Sequence, residues 1–594
     1  MTSSSRIRNI AIIAHVDHGK TTIVDRLLQF SGTVATTGSE RVMDSGDLEK
    51  ERGITILAKH TGIQYNGFTV NIVDTPGHAD FGGEVERTLQ MVEGFLLLVD
   101  AAEGVLPGTR FVLHKALQLN LKPIVLINKI DRPDATIEVT RDQISDLFLD
   151  LATNESQLEF PILYGSGKLG FVNTDPSVHS GTMEPLFDAI LTHIPAPRPK
   201  GDHLQLLITS LDHSDFLGPI AIGRIFSGSC TQGMSVIQCK DDTISAPTKL
   251  TKLFTFHGLT RKETHNAPCG DIVAVTGFDK PPVIGTTLCE PEHPAPYPYV
   301  KIDEPTLSMF FSVNDSPFAG KEGTFLTSRN LKDRLTKELR TNVALRVEET
   351  ESPEVVKVSG RGQLHLGILI ETMRREGFEL QVSAPEVINR MIGGTLHEPI
   401  EYVVIDVPMA YQGVVMEMMG TRKAIMKNLA PLPGDRSRLE YQVPSRALLG
   451  FRGEFLTSTR GTGVVTMSFF GYEPHKGDIP TRIKGALVSM EGGPATGYAL
   501  DTLQERGVLF VKPGDPIYDG MIIGEHSRAN DLTVNPCKEK KLTNMRASGT
   551  DEAVRLPPPR IMDLETCIEW IRPDELIEVT PIAIRLRKKP VRRK

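Results

Sequence analysis

The sequence predicts a multidomain α/β and β chain: an α/β domain of the phosphate-loop type, a β-barrel domain, two α+β domains and a β-rich C-terminal domain. Three observations carry this. At 594 residues the chain exceeds a single domain, since domains run to roughly 100–200 residues. Up to residue 194, short apolar runs alternate with helical patterns, the rhythm of a mostly parallel sheet covered by helices. Prolines then punctuate the chain twice, at Pro195, Pro197 and Pro199 and again at Pro291, Pro294, Pro296 and Pro298.

In the first segment, apolar runs at 10–13, 70–73, 95–99 and 124–127 read as buried strands. Ala14-His15-Val16-Asp17-His18-Gly19-Lys20-Thr21-Thr22 follows the first run and precedes the helical spacing of Ile23 to Leu28. Strand, glycine-bearing loop and helix form the setting of a phosphate-binding loop, whose backbone N–H groups cradle anionic oxygens. Lys20 is placed to reach the β- and γ-phosphates, and the Thr21 hydroxyl to bind Mg²⁺. Ala14 stands where the usual pattern has its first glycine.

Four further pieces follow in order. Arg52-Gly53-Ile54-Thr55-Ile56 offers Thr55 to complete a Mg²⁺ shell. Val73-Asp74-Thr75-Pro76-Gly77-His78 ends a strand, so Asp74 can hold Mg²⁺ through water while the Gly77 N–H approaches a γ-phosphate. Asn128-Lys129-Ile130-Asp131 follows the strand at 124–127. A buried Asp131 carboxylate would accept both donors of the guanine edge, and such sites discriminate by ~10⁴–10⁵. Gly165-Ser166-Gly167-Lys168 follows Pro161-Ile162-Leu163-Tyr164 and suits backbone contact with the guanine O6. The expected nucleotide site is therefore Asp17, His18, Gly19, Lys20, Thr21, Thr22, Asn128, Lys129, Ile130, Asp131, Ser166 and Gly167, with Thr21, Thr55 and Asp74 for Mg²⁺ and GTP or GDP as ligand.

Residues 200–290 alternate β-rich runs with glycine turns, as in Ile220 to Gly228 and Gly270 to Val275, and read as a small barrel. Residues 301–385 are α+β, with amphipathic helices near Asn330–Asn342 and Leu364–Arg375, and 398–480 repeat that texture. The expected boundaries are 1–197, 200–300, 301–387, 396–480 and 481–594.

Charged residues are 24% and hydrophobic ones 40%, an ordinary soluble, globular composition. No apolar run approaches the ~20 residues of a membrane span, and Met1 to Arg6 lack the apolar core of a secretory signal. The six cysteines, at 230, 239, 269, 289, 537 and 567, form no CxxC pair. That argues against a disulfide framework or a cysteine zinc site and fits a reducing, cytoplasmic setting. The net charge of −8 is uneven: residues 482–594 hold 19 Lys and Arg against 16 Asp and Glu. The last ten residues carry Arg585, Arg587, Lys588, Lys589, Arg592, Arg593 and Lys594 with no acid. This reads either as a localised polyanion contact or as a solvated tail.

Val16-Asp17-His18-Gly19-Lys20-Thr21, Arg52 to Ile56 and Asp74 to His78 resemble the translational GTPases. Arg41 to Ser45, Asp47 to Lys59, Gly82 to Arg87, Phe318 to Thr327, Gly360 to Leu366 and, most specifically, Lys540 to Ala553 resemble the BipA (TypA) family over nearly the whole chain. The resemblance implies a P-loop GTPase domain, a barrel, two ferredoxin-like α+β domains like domains III and V of elongation factor EF-G, and a family-specific C-terminal domain. It implies that His78 is the catalytic residue, with Lys20 and Gly77. Of its two possible roles, general base or orienting the attacking water, the second is favoured, because ribosomal RNA phosphate beside the imidazole would favour its cationic form, a poor base. By the same resemblance Val16 and Ile54 form an apolar gate, and Asp17 helps hold a monovalent cation (K⁺ or Na⁺). The implied partners are the 70S ribosome, the 50S subunit or its precursors, ribosomal RNA and A-site tRNA, met by a cytoplasmic monomer with no membrane contact. Candidate RNA contacts are Arg528, Lys540, Lys541 and Arg546. The implied function is GTP hydrolysis in large-subunit assembly or in translation under stress such as low temperature. The alternatives are an RNA-binding assembly scaffold that uses hydrolysis as a release timer, and a LepA-like factor, against which Leu542 to Ala553 argues.

Overall fold

In a computed structural model of the chain, residues 3–15, 17–33, 47–52, 55, 59–76, 82–240, 243–298, 304–340, 342, 344–432, 435–479, 482, 484–539 and 556–590 are described. The chain divides into two compact units, Met1–Asp303 with Arg340–Ala344, and Glu304–Leu339 with Leu345–Lys594. No helix among the described residues is long and apolar enough to cross a membrane.

The first unit opens with β1 (Ile7–Ala14), α1 (Lys20–Phe30), α2 (Asp47–Arg52), β2 (Lys59–Tyr65), β3 (Phe68–Asp74), α3 (Gly82–Leu89) and β4 (Gly94–Asp100). Next come α4 (Pro107–Gln118), β5 (Lys122–Asn128), α5 (Ile137–Leu151), β6 (Ile162–Ser166), β7 (Phe171–Asn173) and α6 (Glu184–His193). One seven-stranded sheet runs β2-β3-β1-β4-β5-β6-β7. Its inner strands are parallel, and β2 and β7 pair antiparallel at the edges. All four apolar runs lie inside β1, β3, β4 and β5. They are continuous because both faces are covered. Along β1, Ala11 and Ile13 pack with Val85, Leu113 and Phe148 of α3, α4 and α5. Ile10 and Ile12 pack with Leu27 of α1 and Phe187 of α6 on the other face. Burying both faces leaves the C-terminal strand ends as the place where polar loops collect.

The barrel segment forms a nine-stranded sheet, with Gln205–Ser214 paired to both Gly218–Ser227 and Thr287–Cys289. It packs on the α/β domain. The Gly258 N–H donates to the Gly62 carbonyl at 2.7 Å, and a Cβ on Gly62 would lie 2.0 Å from the Phe256 carbonyl oxygen, so only glycine fits. Buried polar groups are paired across this contact. Asn9 Nδ2 donates to Glu93 at 3.0 Å and to the Gly270 carbonyl at 2.9 Å, Asn71 Nδ2 donates to Asp271 at 3.2 Å, and Arg224 pairs with Glu93. Burial pushes the Asp271 carboxyl up to about 6, against the opposing hydrogen bonds from Asn71 and the Ile272 N–H.

The second unit repeats β-α-β-β-α-β twice. The first copy uses strands Leu307–Val313, Arg346–Glu349, Val355–Gly360 and Leu380–Ser383 with helices Ser328–Glu338 and Gln363–Arg375. The second uses strands Thr395–Pro408, Ile425–Leu432, Arg436–Pro444 and Val464–Pro474 with helices Gln412–Thr421 and Phe451–Ser458. In each, the fourth strand pairs with the first, the first with the third and the third with the second, the ferredoxin-like order. The helix expected near Asn330–Asn342 runs instead over Ser328–Glu338, because Thr327 caps it by accepting the Asn330 N–H at 3.2 Å.

In the C-terminal region the structure adds one connection and changes one expectation. Strand Leu380–Ser383 pairs antiparallel with Glu575–Val579, from Leu380↔Val579 to Ser383↔Leu576. One eleven-stranded sheet therefore continues from the first α+β copy into the C-terminal block. The basic stretch from Arg585 is neither a polyanion contact nor a solvated tail at its start, because it is the strand Ile584–Lys588 of that sheet. Arg585 pairs with Glu322 and with Glu578 at 3.3 Å, and Arg587 with Asp315 at 2.8 Å. Lys588 reaches Asp531, Asp574 and Glu575 at 2.6, 2.7 and 2.9 Å. These charges are already matched within the fold.

Candidate nucleotide site

The loop after β1 turns through Asp17 (φ 65°) and Gly19 (φ 96°). A Cβ on Gly19 would lie 2.5 Å from Asn128 Nδ2, so the position demands glycine for space as well as for backbone. The Ile23 N–H donates to the Gly19 carbonyl at 3.0 Å and starts α1. This leaves the preceding N–H groups at a helix N-terminus, the setting that attracts phosphate.

Asn128, at the buried end of β5, knits three loops together. Its Nδ2 donates to the His18 carbonyl at 2.8 Å, and its Oδ1 accepts the Gly167 N–H at 2.9 Å. The Ile130 N–H adds a bond to the Gly165 carbonyl at 3.3 Å. Lys129 (φ 60°) sends its ammonium to the Asp17 carbonyl at 2.7 Å and to Asp100 Oδ2 at 2.7 Å. Asp100 is buried at the end of β4 and also accepts the Ala102 N–H at 2.8 Å. Burial alone would raise its carboxyl, but Lys129, the Ala102 N–H and His18 outweigh that and hold it below the usual range.

The other half of the site gathers charge. Lys20 Nζ lies 3.0 Å from Asp74 Oδ1 and donates to the Thr75 carbonyl. The Thr55 hydroxyl donates to Asp74 Oδ2 at 3.3 Å. Lys20, Thr55 and Asp74 are thus brought together from α1, the segment before β2 and the end of β3. Asp74 is fully buried, yet among the described residues its Oδ1 accepts no well-aligned hydrogen bond and faces the Lys20 charge. A buried carboxylate oxygen with spare acceptor capacity fits a water of a Mg²⁺ shell, and a glycine-lined helix N-terminus with a lysine fits phosphate. The donor set therefore suits a Mg²⁺–nucleotide.

The remaining expected residues are placed as follows. Thr21 is half-buried and Thr22 exposed in the first turn of α1. His18 is buried, with Nδ1 at 3.4 Å from both the Leu98 carbonyl and the Asp100 nitrogen, so its ring braces the loop from within. Ile130 and Ser166 are buried, and the Ser166 hydroxyl accepts the Leu169 N–H at 3.2 Å. Asp131 is exposed rather than buried, because it lies past the sheet end in the turn closed by the Arg132 N–H on the Lys129 carbonyl at 3.1 Å. Asp17 is exposed at the loop tip. Arg528 is exposed, far along the chain, with its carbonyl accepting the Gly485 N–H at 2.7 Å. Val16, Ile54, Gly77, His78, Lys540, Lys541 and Arg546 lie outside the described residues. Asp100 escaped the sequence reading, although a lone charge closing the apolar run Phe95 to Val99 was its visible signal.

Comparison with known proteins covers nearly the whole chain. The elongation factor Tu GTP binding domain matches residues 5–196 and elongation factor G domain 2 matches 207–291. The elongation factor G C-terminus matches 395–483 and the TypA/BipA C-terminal domain 484–593. The chain is 53% identical over 588 residues to the large ribosomal subunit assembly factor BipA of a Synechocystis strain, with 98% of each chain covered. It is 51% identical over 587 residues to the protein of that name in Bacillus subtilis, covering 98% of this chain and 96% of the relative. Identity to its counterpart in Escherichia coli K12 is 53% over 590 residues, covering 98% and 97%. A crystal structure of a protein from Thermus thermophilus shares the fold, with a TM-score of 0.56 at 16% identity over 80% of this chain and 98% of that one.

Proposed function

The chain belongs to the BipA/TypA family, and on that premise we propose that it is a ribosome-associated GTPase acting in large-subunit (50S) assembly and/or in translation under stress such as low temperature. The carrying observation is the double convergence at the sheet end: Asn128 locks the loops at 18 and 167 together, while Lys20, Thr55 and Asp74 meet beside them. Such a site both grips a nucleotide and reads its γ-phosphate.

The roles follow from chemistry. Backbone N–H groups of Asp17 to Thr22 cradle the phosphates. Lys20 exchanges its contact with Asp74 for phosphate oxygens. Mg²⁺, held by Thr21, Thr55 and, through water, Asp74, supplies charge neutralisation at the phosphates. Asp131 accepts the guanine edge, and Ser166 and Gly167 border the O6. Asp17 assists a monovalent cation. His78 orients the attacking water next to Gly77, and Val16 and Ile54 hold it back until the ribosome docks. Phosphoryl transfer has a loose transition state, so positioning of this kind supplies most of the acceleration. Loss of the γ-phosphate frees Thr55 and Gly77, and the segments around them relax. The chain is a cytoplasmic monomer that binds the 70S ribosome and 50S particles. Arg528, Lys540, Lys541 and Arg546 meet ribosomal RNA or A-site tRNA in a salt-sensitive manner.

The test is GTP turnover by the full-length protein, alone and with purified 70S, 50S and precursor particles. Slow intrinsic turnover and strong stimulation are expected. His78→Ala is expected to keep GTP affinity and lose the stimulated rate. Absence of stimulation by every particle overturns the proposal, and full stimulation in His78→Ala overturns the role of that residue.

A further inference from the structure

Away from the nucleotide site, the barrel brings two imidazoles and a carboxylate together where the chain enters and leaves it. The pairing of Gln205 with Cys289 fixes this meeting, because it places the residues just before one strand beside those just after the other. His203 stands on one side, Glu290 and His293 on the other. His203 Nδ1 and Glu290 Oε2 are 3.0 Å apart. The second carboxylate oxygen accepts the Leu204 N–H at 3.1 Å, and the His293 N–H closes a turn on the Glu290 carbonyl at 3.1 Å. The carboxylate is therefore aimed before any ligand arrives. The two imidazole rings lie 3.6 Å apart, and one ligand atom from each of the three residues falls within 4.8 Å of the others. Asp202 and Glu292 flank the cluster in the sequence and add negative charge.

We infer that His203, Glu290 and His293 form a binding site for a divalent transition metal of the Zn²⁺ class, with two imidazole nitrogens, one carboxylate oxygen and the remaining positions left to water. Imidazole donors favour Zn²⁺, Ni²⁺ or Cu²⁺ over Mg²⁺, so the ion that serves the nucleotide does not compete here. The Leu204 N–H on the free carboxylate oxygen is the outer contact that such sites use to orient a ligand. Both histidines are exposed, so their rings can splay from the stack onto an ion without disturbing the core. A bound ion would tie the proline-rich segments on either side of the barrel to each other.

The test uses untagged full-length protein, stripped with a chelator and then saturated with Mg²⁺ and GDP. One equivalent of Co²⁺ is expected to give a visible d–d absorption that one equivalent of Zn²⁺ removes. His203→Ala and His293→Ala are each expected to weaken Zn²⁺ binding by roughly 100-fold or more, with GDP affinity unchanged. His293→Gln, which keeps the side-chain volume, is expected to match His293→Ala, whereas Thr21→Ala retains the Co²⁺ band. A missing band, or a band that survives in both histidine variants, overturns the assignment.

Discussion

Asn128→Ala removes a side chain that, among the described residues, bonds both the phosphate loop and the loop at 165–168. The structure gives the scale of the loss. The variant leaves the His18 carbonyl and the Gly167 N–H without the bonds they make at 2.8 and 2.9 Å, in a place where Asn128 is 1% exposed. Each buried group stripped of its partner costs about 1–3 kcal/mol. Taking about 3 kcal/mol for the pair, and charging it to the nucleotide-competent arrangement, Kd rises by roughly 100-fold. Neither bond lies on the Lys20–Asp74–Thr55 side, so GDP and GTP should lose affinity equally. The assay is equilibrium titration with fluorescent GDP and a non-hydrolysable GTP analogue, with a thermal melt alongside to confirm folding. A Kd within a few-fold of the parent, or a loss confined to the GTP analogue, refutes the bridging role.

Asp131→Asn should move preference from guanine to xanthine nucleotides, since the amide now donates where the carboxylate accepted; competition between GTP and XTP measures it, and an unchanged order counts against the assignment. Asp271 gives a pH signature. Its folded carboxyl titrates near about 6, above the ordinary value of about 3.9, so the fold binds the extra proton between those values. The stabilisation is complete below pH of about 4 and is lost as pH rises through about 6. Asp271→Asn should flatten that slope and raise stability at neutral pH by about 2–3 kcal/mol; identical slopes in denaturation from pH 4 to 7 argue against this. Arg585→Ala leaves the fully buried Glu578 short of its cation and should cost about 3 kcal/mol, read by chemical denaturation; a cost below about 1 kcal/mol means that the strand's charges are free after all.

The meeting of the expected loops at the sheet end was legible because its signals are local. Each loop sits within a few residues of the strand that aims it, so Lys20, Asp74 and Asn128 could be named from order and spacing alone. What those side chains do to one another was not legible. Asn128 was expected among the nucleotide-site residues, and its spacing did not show that its amide spans two loops or that Asp100 stands behind Lys129. Long-range pairing hid the most. His203 and Glu290 share no spacing motif because a strand register joins them. The basic stretch at Arg585 looked free because a charge count does not see Glu322 and Asp315 on a distant part of the chain. The ferredoxin-like copies were readable as texture, whereas the continuation of one sheet through Leu380–Ser383 rests on a four-residue pairing with Glu575–Val579.

That pairing has a bearing on how the protein can be cut. A chain ending at residue 483 would keep both α+β copies but strip Leu380–Ser383 of one of its two neighbours, Glu575–Val579. Four buried residues would then become a bare edge with unpaired N–H and C=O groups. Exposed edges of this kind template association between chains. The C-terminal block is therefore a guard on the solubility of the first α+β copy, and a truncated product should self-associate rather than persist as a smaller working protein.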